Sequence, residues 1–227
     1  MLKESQSLRY FLYALGEIAL VVVGILIALE LDNWDKDKQN RKLEFQYYQS
    51  MKSELLQDRN LLLAEIQDGS EFLQRYEEAR AIIIANDRQK AAELAAYASD
   101  LKSFSDFRQS SSAYQTLINS GEIKHIRNKT IIAGFQNLER LYSYIERLED
   151  IHKQAVMDDI IIRVVEIIQF NPLSVEQPEA LYSYQFNNIF YLVAGLIVEK
   201  NDVYNSAVKG IDGLIEELDR ELTTDSQ

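Results

Sequence analysis

Glu17 has the most unusual chemistry in this chain. It sits inside the apolar run 10–31, Tyr-Phe-Leu-Tyr-Ala-Leu-Gly-Glu-Ile-Ala-Leu-Val-Val-Val-Gly-Ile-Leu-Ile-Ala-Leu-Glu-Leu. In hydrocarbon an ionised carboxylate would cost on the order of 3 kcal/mol or more. At about 100° per residue on a helix, Tyr10, Ala14, Glu17, Val21, Gly24, Ala28 and Leu31 fall on one stripe. Gly24 and Ala28 form a small-xxx-small pair, which lets helix backbones approach closely in lipid. The stripe therefore reads as a protein-facing seam. Glu17 has two readings there: a protonated side chain that hydrogen-bonds a neighbouring helix, or a proton or cation site in a shared, stator-like bundle.

The rest of the chain offers little else for chemistry. The serine-rich stretch Ser103–Ser112 suggests a nucleophile, but no histidine or lysine stands beside it in an activating motif, and helix capping is the simpler role. His125 and His152 are too few and too far apart for a histidine metal site, and His152 continues the helical spacing of Ile145 and Leu148 as a core or edge residue. There is no cysteine, which excludes disulfides, thiolate nucleophiles and thiolate-bound zinc. No glycine-rich phosphate loop occurs. Acidic pairs such as Asp158-Asp159 and Glu216-Glu217 read as solvated helix faces. These residues predict neither a catalytic constellation nor a cofactor.

The elements that hold these residues are read as helices. Two prolines, Pro172 and Pro178, and eight glycines in 227 residues leave long stretches unbroken and suit few tight turns. The net charge of −12 argues against nucleic acid, whose phosphates need clustered Lys and Arg. Twenty-two residues (10–31) at ~1.5 Å each cover ~33 Å, enough for a hydrocarbon core of ~30 Å. Tyr10, Tyr13 and Trp34 flank the run as interfacial aromatics do. Lys3 and Arg9 precede it, and Lys36, Lys38, Arg41 and Lys42 follow, so charge alone leaves the orientation open.

Beyond Trp34 a stalk helix is predicted over about 35–68, with Phe45, Tyr48, Met51, Leu55, Leu62 and Ile66 on one stripe. A second helix follows Gly69. Asn86-Asp87 reads as a turn and N-cap, Ser120-Gly121 as a glycine C-cap, and Asn128 starts a long helical pattern to about Gln169, with a break expected near residue 155. Residues 189–198 read as a buried core helix, too short for a bilayer, and 202–222 as a separate amphipathic helix.

Two segments resemble a family. Tyr13–Trp34, with Gly16-Glu17 opening it and Asn33-Trp34 closing it, is similar to the signature of an uncharacterised family of bacterial single-pass membrane proteins. Ser112–Asn128, Ser-Ala-Tyr-Gln-Thr-Leu-Ile-Asn-Ser-Gly-Glu-Ile-Lys-His-Ile-Arg-Asn, resembles its second recurrent segment. The resemblance implies a cytoplasmic N-terminus and a helical part outside the inner membrane. It carries over no catalytic residue.

The expectation is an all-α protein: a short cytoplasmic tail (1–9), a transmembrane helix (10–31), and a water-soluble part (32–227) whose stalk leads into an antiparallel bundle of about five further helices. The function expected is that of a non-enzymatic scaffold, sensor or interaction protein. It would self-associate through Glu17, Val21, Gly24 and Ala28, with the bilayer and an envelope protein as partners. An oligomeric proton or ion pathway through Glu17 is the alternative.

Overall fold

The computed structural model describes the backbone of residues 2–110 and 113–224 and the side chains of 15–110 and 113–223. The chain divides into two compact units, Met1–Tyr48 and Gln49–Gln227. Helix α1, Leu2–Ala85, contributes to both.

In the first unit, α1 exposes large apolar side chains all round: Leu15, Ile18, Leu20, the three valines 21–23, Ile25, Leu26, Ile27, Leu29 and Leu31 are each about half exposed or more. Among the described residues no helix is long and apolar enough to cross a membrane. The described side chains begin at Leu15, and the stretch 15–32 already holds Glu17, Glu30 and Asp32. After residue 31 the character changes. Lys36 pairs with Asp32 at 2.6 Å and Gln39 donates to Asp35 at 2.8 Å, the i,i+4 contacts of a water-facing helix. Glu44 is buried and accepts Tyr48 Oη and Arg41 Nη1, each at 2.7 Å.

The second unit begins with the remainder of α1, which runs through Gly69 without a break. The expected boundary there is corrected. Gly69 serves close approach instead: a Cβ at that position would lie 2.7 Å from Asn201 Oδ1. The turn at Asn86-Asp87 is formed by Asn86 at φ 51 and by Asp87, whose side chain accepts the Gln89 N–H. A short 3-10 turn (Arg88–Lys90) leads into α2 (Ala91–Asp100). An irregular segment follows as far as residue 110, and α3 (Ala113–Ser120) is ended by Gly121 at φ 74.

Asn128 caps α4 (Lys129–Ala155) by accepting the Thr130 and Ile131 N–H groups. A π-helical turn, Val156–Ile160, stands where a break was expected and joins α4 to α5 (Ile161–Ile167). The helix predicted to reach about Gln169 stops at Ile167, which corrects that boundary. Ile168–Phe170 is strand β1 and pairs antiparallel with β2 (Leu173–Val175), Ile168 opposite Val175. Two forces override the helical spacing: Pro172 forbids helix just beyond, and Ile168 is buried as a strand residue.

After α6 (Pro178–Leu181), one helix, α7 (Tyr184–Thr224), replaces the two expected. Its buried stripe, Phe186, Phe190, Val193, Ile197, Tyr204, Ile211, Leu214 and Leu218, keeps helical phase throughout, so nothing favours a break. Residues 189–198 are also not buried all round, since Tyr191, Leu192 and Val198 face outward.

The second unit is thus predominantly helical, apart from one small hairpin. α4 and α7 pack along each other. One apolar cluster joins the end of α1, α2, α5, α6 and the start of α7 around Tyr76, Leu94, Val164 and Phe190. Nearer α3, Tyr114 stacks on Phe135 at 4.6 Å.

Candidate functional site

The densest polar arrangement lies inside the second unit, where α1, α4, α7 and the segment after α2 meet. α4 supplies Glu149 and His152, three residues apart and so on one face. α7 supplies Lys200 and Tyr204, four apart. α1 supplies Glu65, Asp68 and Phe72, and the segment after α2 supplies Ser105. All of these except Glu149 line a cleft of about 240 Å³, with Phe104 and Ile197 as apolar wall.

The floor is a connected network. Glu149, 6 % exposed, accepts the Phe107 N–H at 3.1 Å on both oxygens and Tyr204 Oη at 2.5 Å on Oε1. Tyr204 Oη also lies 2.9 Å from Ser105 Oγ. Lys200, 4 % exposed, donates to Ser105 Oγ at 2.7 Å and lies 2.9 Å from His152 Nδ1. Such a buried charge is tolerable only because these partners and the nearby Glu149 carboxylate compensate its lost hydration.

Burial sets the protonation states. It presses the Lys200 ammonium down to about 8, against the opposing pull of Glu149 and Glu65. It presses the His152 imidazole down to about 4, helped by the Lys200 charge. Burial also raises the half-buried Glu65 carboxyl, with the Glu149 and Asp68 charges adding to it. Tyr204 is pushed upward by burial and by its bond to Glu149. At neutral pH Lys200 is therefore charged and His152 neutral. Lys200 then donates to Ser105 rather than taking its proton, an arrangement built for binding more than for nucleophilic attack.

Carboxylates also hold the segment that carries Ser105. Asp58, fully buried, accepts the Ser110 N–H at 2.5 Å and Tyr142 Oη at 2.8 Å. Glu54 accepts the Ala113 N–H at 3.0 Å. The expected role of the serines as the cap of α3 falls partly on Ser111 and Ser112, which lie outside the described residues. Among the described residues no three His, Asp or Glu side chains gather as metal ligands.

The stripe predicted from the sequence lies in the first unit. Glu17, Val21, Gly24 and Ala28 follow one another along α1 and are exposed, and Gly24 has open space where a side chain would be. Trp34 is 64 % exposed, with Lys38 Nζ 5.4 Å from its ring centre. The side chains of Tyr10 and Tyr13 lie outside the described residues.

Sequence reading gave His152 a core or edge role but missed Lys200, Tyr204, Glu149 and Ser105. One signal was available: Lys200 falls in phase between Ile197 and Tyr204 on the α7 stripe, where a charge needs a buried partner. Asp158 and Asp159, read as a solvated face, are exposed, whereas Asp58 and Glu149, which the sequence reading did not single out, are buried.

No curated protein and no solved structure matches the chain. One family model does, over residues 17–167, a stretch that contains Ser105, Glu149 and His152 and stops before Lys200 and Tyr204. The chain therefore belongs to DUF6090, a family of unknown function.

Proposed function

We propose that this protein is a membrane-anchored, non-enzymatic helical sensor or scaffold that self-associates through its N-terminal helix. One observation carries the reading: residues 15–31 expose apolar side chains on every side of α1, a surface that water disfavours and hydrocarbon accepts. Burying such side chains is worth about 25 cal/mol per Å² of apolar area, far more than the cost of one protonated glutamate. With residues 10–14 added from the sequence, the run reaches bilayer length.

In this reading the N-terminus is cytoplasmic, the helical unit stands outside the inner membrane, and the Glu17–Val21–Gly24–Ala28 face is the seam between copies. The second reading, a proton or ion path through Glu17, draws on the same face. Two measurements on the full chain test the proposal. Alkaline carbonate should leave the protein in the membrane pellet, and native mass spectrometry in mild detergent should give a discrete oligomer. Release into the supernatant would refute the anchor. A monomer would refute the seam. Glu17→Gln separates the two readings: assembly without ion flux supports conduction, and unchanged function supports the scaffold.

A further inference from the structure

We propose that the outer face of α1 between Gln49 and Gln67 is a contact between two copies of this chain, a short parallel coiled coil in which the face meets itself. Charge carries the argument. Every exposed residue of α1 in this stretch is uncharged, and the first exposed charge beyond it is Asp68. The chain as a whole has a net charge of −12. The charged residues of the stretch are all taken up by the bundle. Lys52 pairs with Asp219 at 2.5 Å and Arg59 with Asp212 at 2.6 Å. Glu54 accepts the Ala113 N–H, Asp58 is buried, and Glu65 lines the cleft. α4 and α7 have no such face: Arg140, Glu146 and Asp150 are exposed on one, Glu199, Asp202 and Glu216 on the other.

Spacing selects the partner. Ser53, Leu56, Asn60, Leu63 and Gln67 follow in steps of three and four, a coiled-coil seam with Leu56 and Leu63 at one core position and Asn60 at the other. Leu56 is 42 % exposed and Leu63 39 %. In a symmetric parallel pair each seam residue faces its own copy, so a charge there would repel itself. Two acidic chains repel over most of their surfaces, and a neutral face is where they can meet. A different protein would read an acidic chain through complementary charge, which this face lacks. Asn60 suits self-pairing further. Its amide both donates and accepts, and a core asparagine fixes the register of two strands. Two leucines are few for a stable pair in water, so the contact draws on copies held in one bilayer with one orientation, which raises their effective concentration. In that respect the proposal rests on the anchor reading, and it adds a contact in the helical unit to the one through Glu17, Gly24 and Ala28.

The chain has no cysteine, so one introduced thiol reports one position. The full protein is reconstituted into lipid vesicles, its flotation with them is recorded, and disulfide formation under mild oxidation is followed on non-reducing gels. Ser53→Cys and Gln67→Cys should each cross-link to their own copy at least tenfold faster than Ser143→Cys on α4 and Ser206→Cys on α7, both exposed positions. A mixture of Ser53→Cys with size-tagged Gln67→Cys should give few mixed pairs, since fourteen residues of helix separate the two positions by about 21 Å in a parallel pair. Leu56→Arg, added to Ser53→Cys, should slow the cross-link at least tenfold with an unchanged circular dichroism spectrum, because Leu56 lies outside the bundle core. Equal rates at all four positions, preferential pairing of position 53 with 67, or a cross-link indifferent to Leu56→Arg would overturn the proposal. Protein that fails to float refutes the anchor alone. The same rates, read in concentrated solution, then decide the contact by the same comparison.

Discussion

Lys200 Nζ lies 2.9 Å from His152 Nδ1, the ammonium of one buried residue set against the ring nitrogen of another. A protonated imidazole could not accept this bond, so the contact and the burial act together to keep His152 neutral, with its titration near 4. The imidazole of His152, followed by NMR, should hold the neutral Nε2–H form down to about pH 5. Titration between 6 and 7 would show that Lys200 does not face it.

The same shifts govern stability against pH. His152 titrates near 4 when folded and near 6.5 when unfolded, so the unfolded chain takes up its proton first as pH falls. Its contribution is therefore lost between pH 6.5 and about 4. Lys200, lowered from 10.5 to about 8, makes the fold gain stability as pH rises from 8 towards 10.5. Asp58, Glu65 and Asp100, all raised by burial, act in the opposite sense at acid pH, since the fold takes up their protons first. His152→Gln isolates the histidine. Urea unfolding at pH 6.5 and 4.5 should give a smaller loss of stability on acidification in the variant than in the wild type.

Two glycines should respond to alanine with opposite signs. A Cβ at Gly134 would sit 2.5 Å from Leu214 Cδ2, a buried side chain between α4 and α7. Gly134→Ala should destabilise by about 1 kcal/mol, because overpacking of roughly 1–3 kcal/mol exceeds the gain in helix propensity. Gly213 has open space around it in the middle of α7. Gly213→Ala should stabilise by about 0.5–1 kcal/mol. Denaturant midpoints read both, and a stabilising Gly134→Ala would contradict the close α4–α7 packing.

Tyr142 donates to Asp58 Oδ2 at 2.8 Å, and Asp58 Oδ1 in turn accepts the Ser110 N–H. Tyr142→Phe leaves a buried carboxylate with one partner fewer, at a cost of about 1–3 kcal/mol. Hydrogen exchange should show faster opening around Ser110 in the variant. Unchanged protection there would mean that Asp58 does not tether the segment.

Much of the fold was legible in the sequence, and most of the candidate site was not. Helical spacing located α4 and its Asn128 cap, and Gly121 marked the end of α3, because these signals are local. Gly69 and residues 199–201 were read as boundaries although the helices continue. There, tertiary packing outweighs weak local propensity, and the unbroken phase from Phe186 to Leu218 was the better guide. Ile168–Phe170 failed for a different reason. Isoleucine serves either helix or strand, and only its partner strand beyond Pro172 decides. The cleft draws Glu65, Ser105, His152 and Lys200 from four separate parts of the chain, and no spacing rule connects residues that far apart. Their one trace was a lysine on an apolar stripe.

The central claim, that residues 10–31 lie in a bilayer, is tested most directly through Trp34, the single tryptophan of the chain. The full protein would be reconstituted into vesicles containing lipids brominated at shallow or deep acyl positions, and the tryptophan fluorescence recorded. The account predicts blue-shifted emission, quenched more strongly by shallow than by deep bromines, as for a ring at the headgroup boundary. Emission at the wavelength of water-exposed indole, unquenched by either lipid, would contradict it.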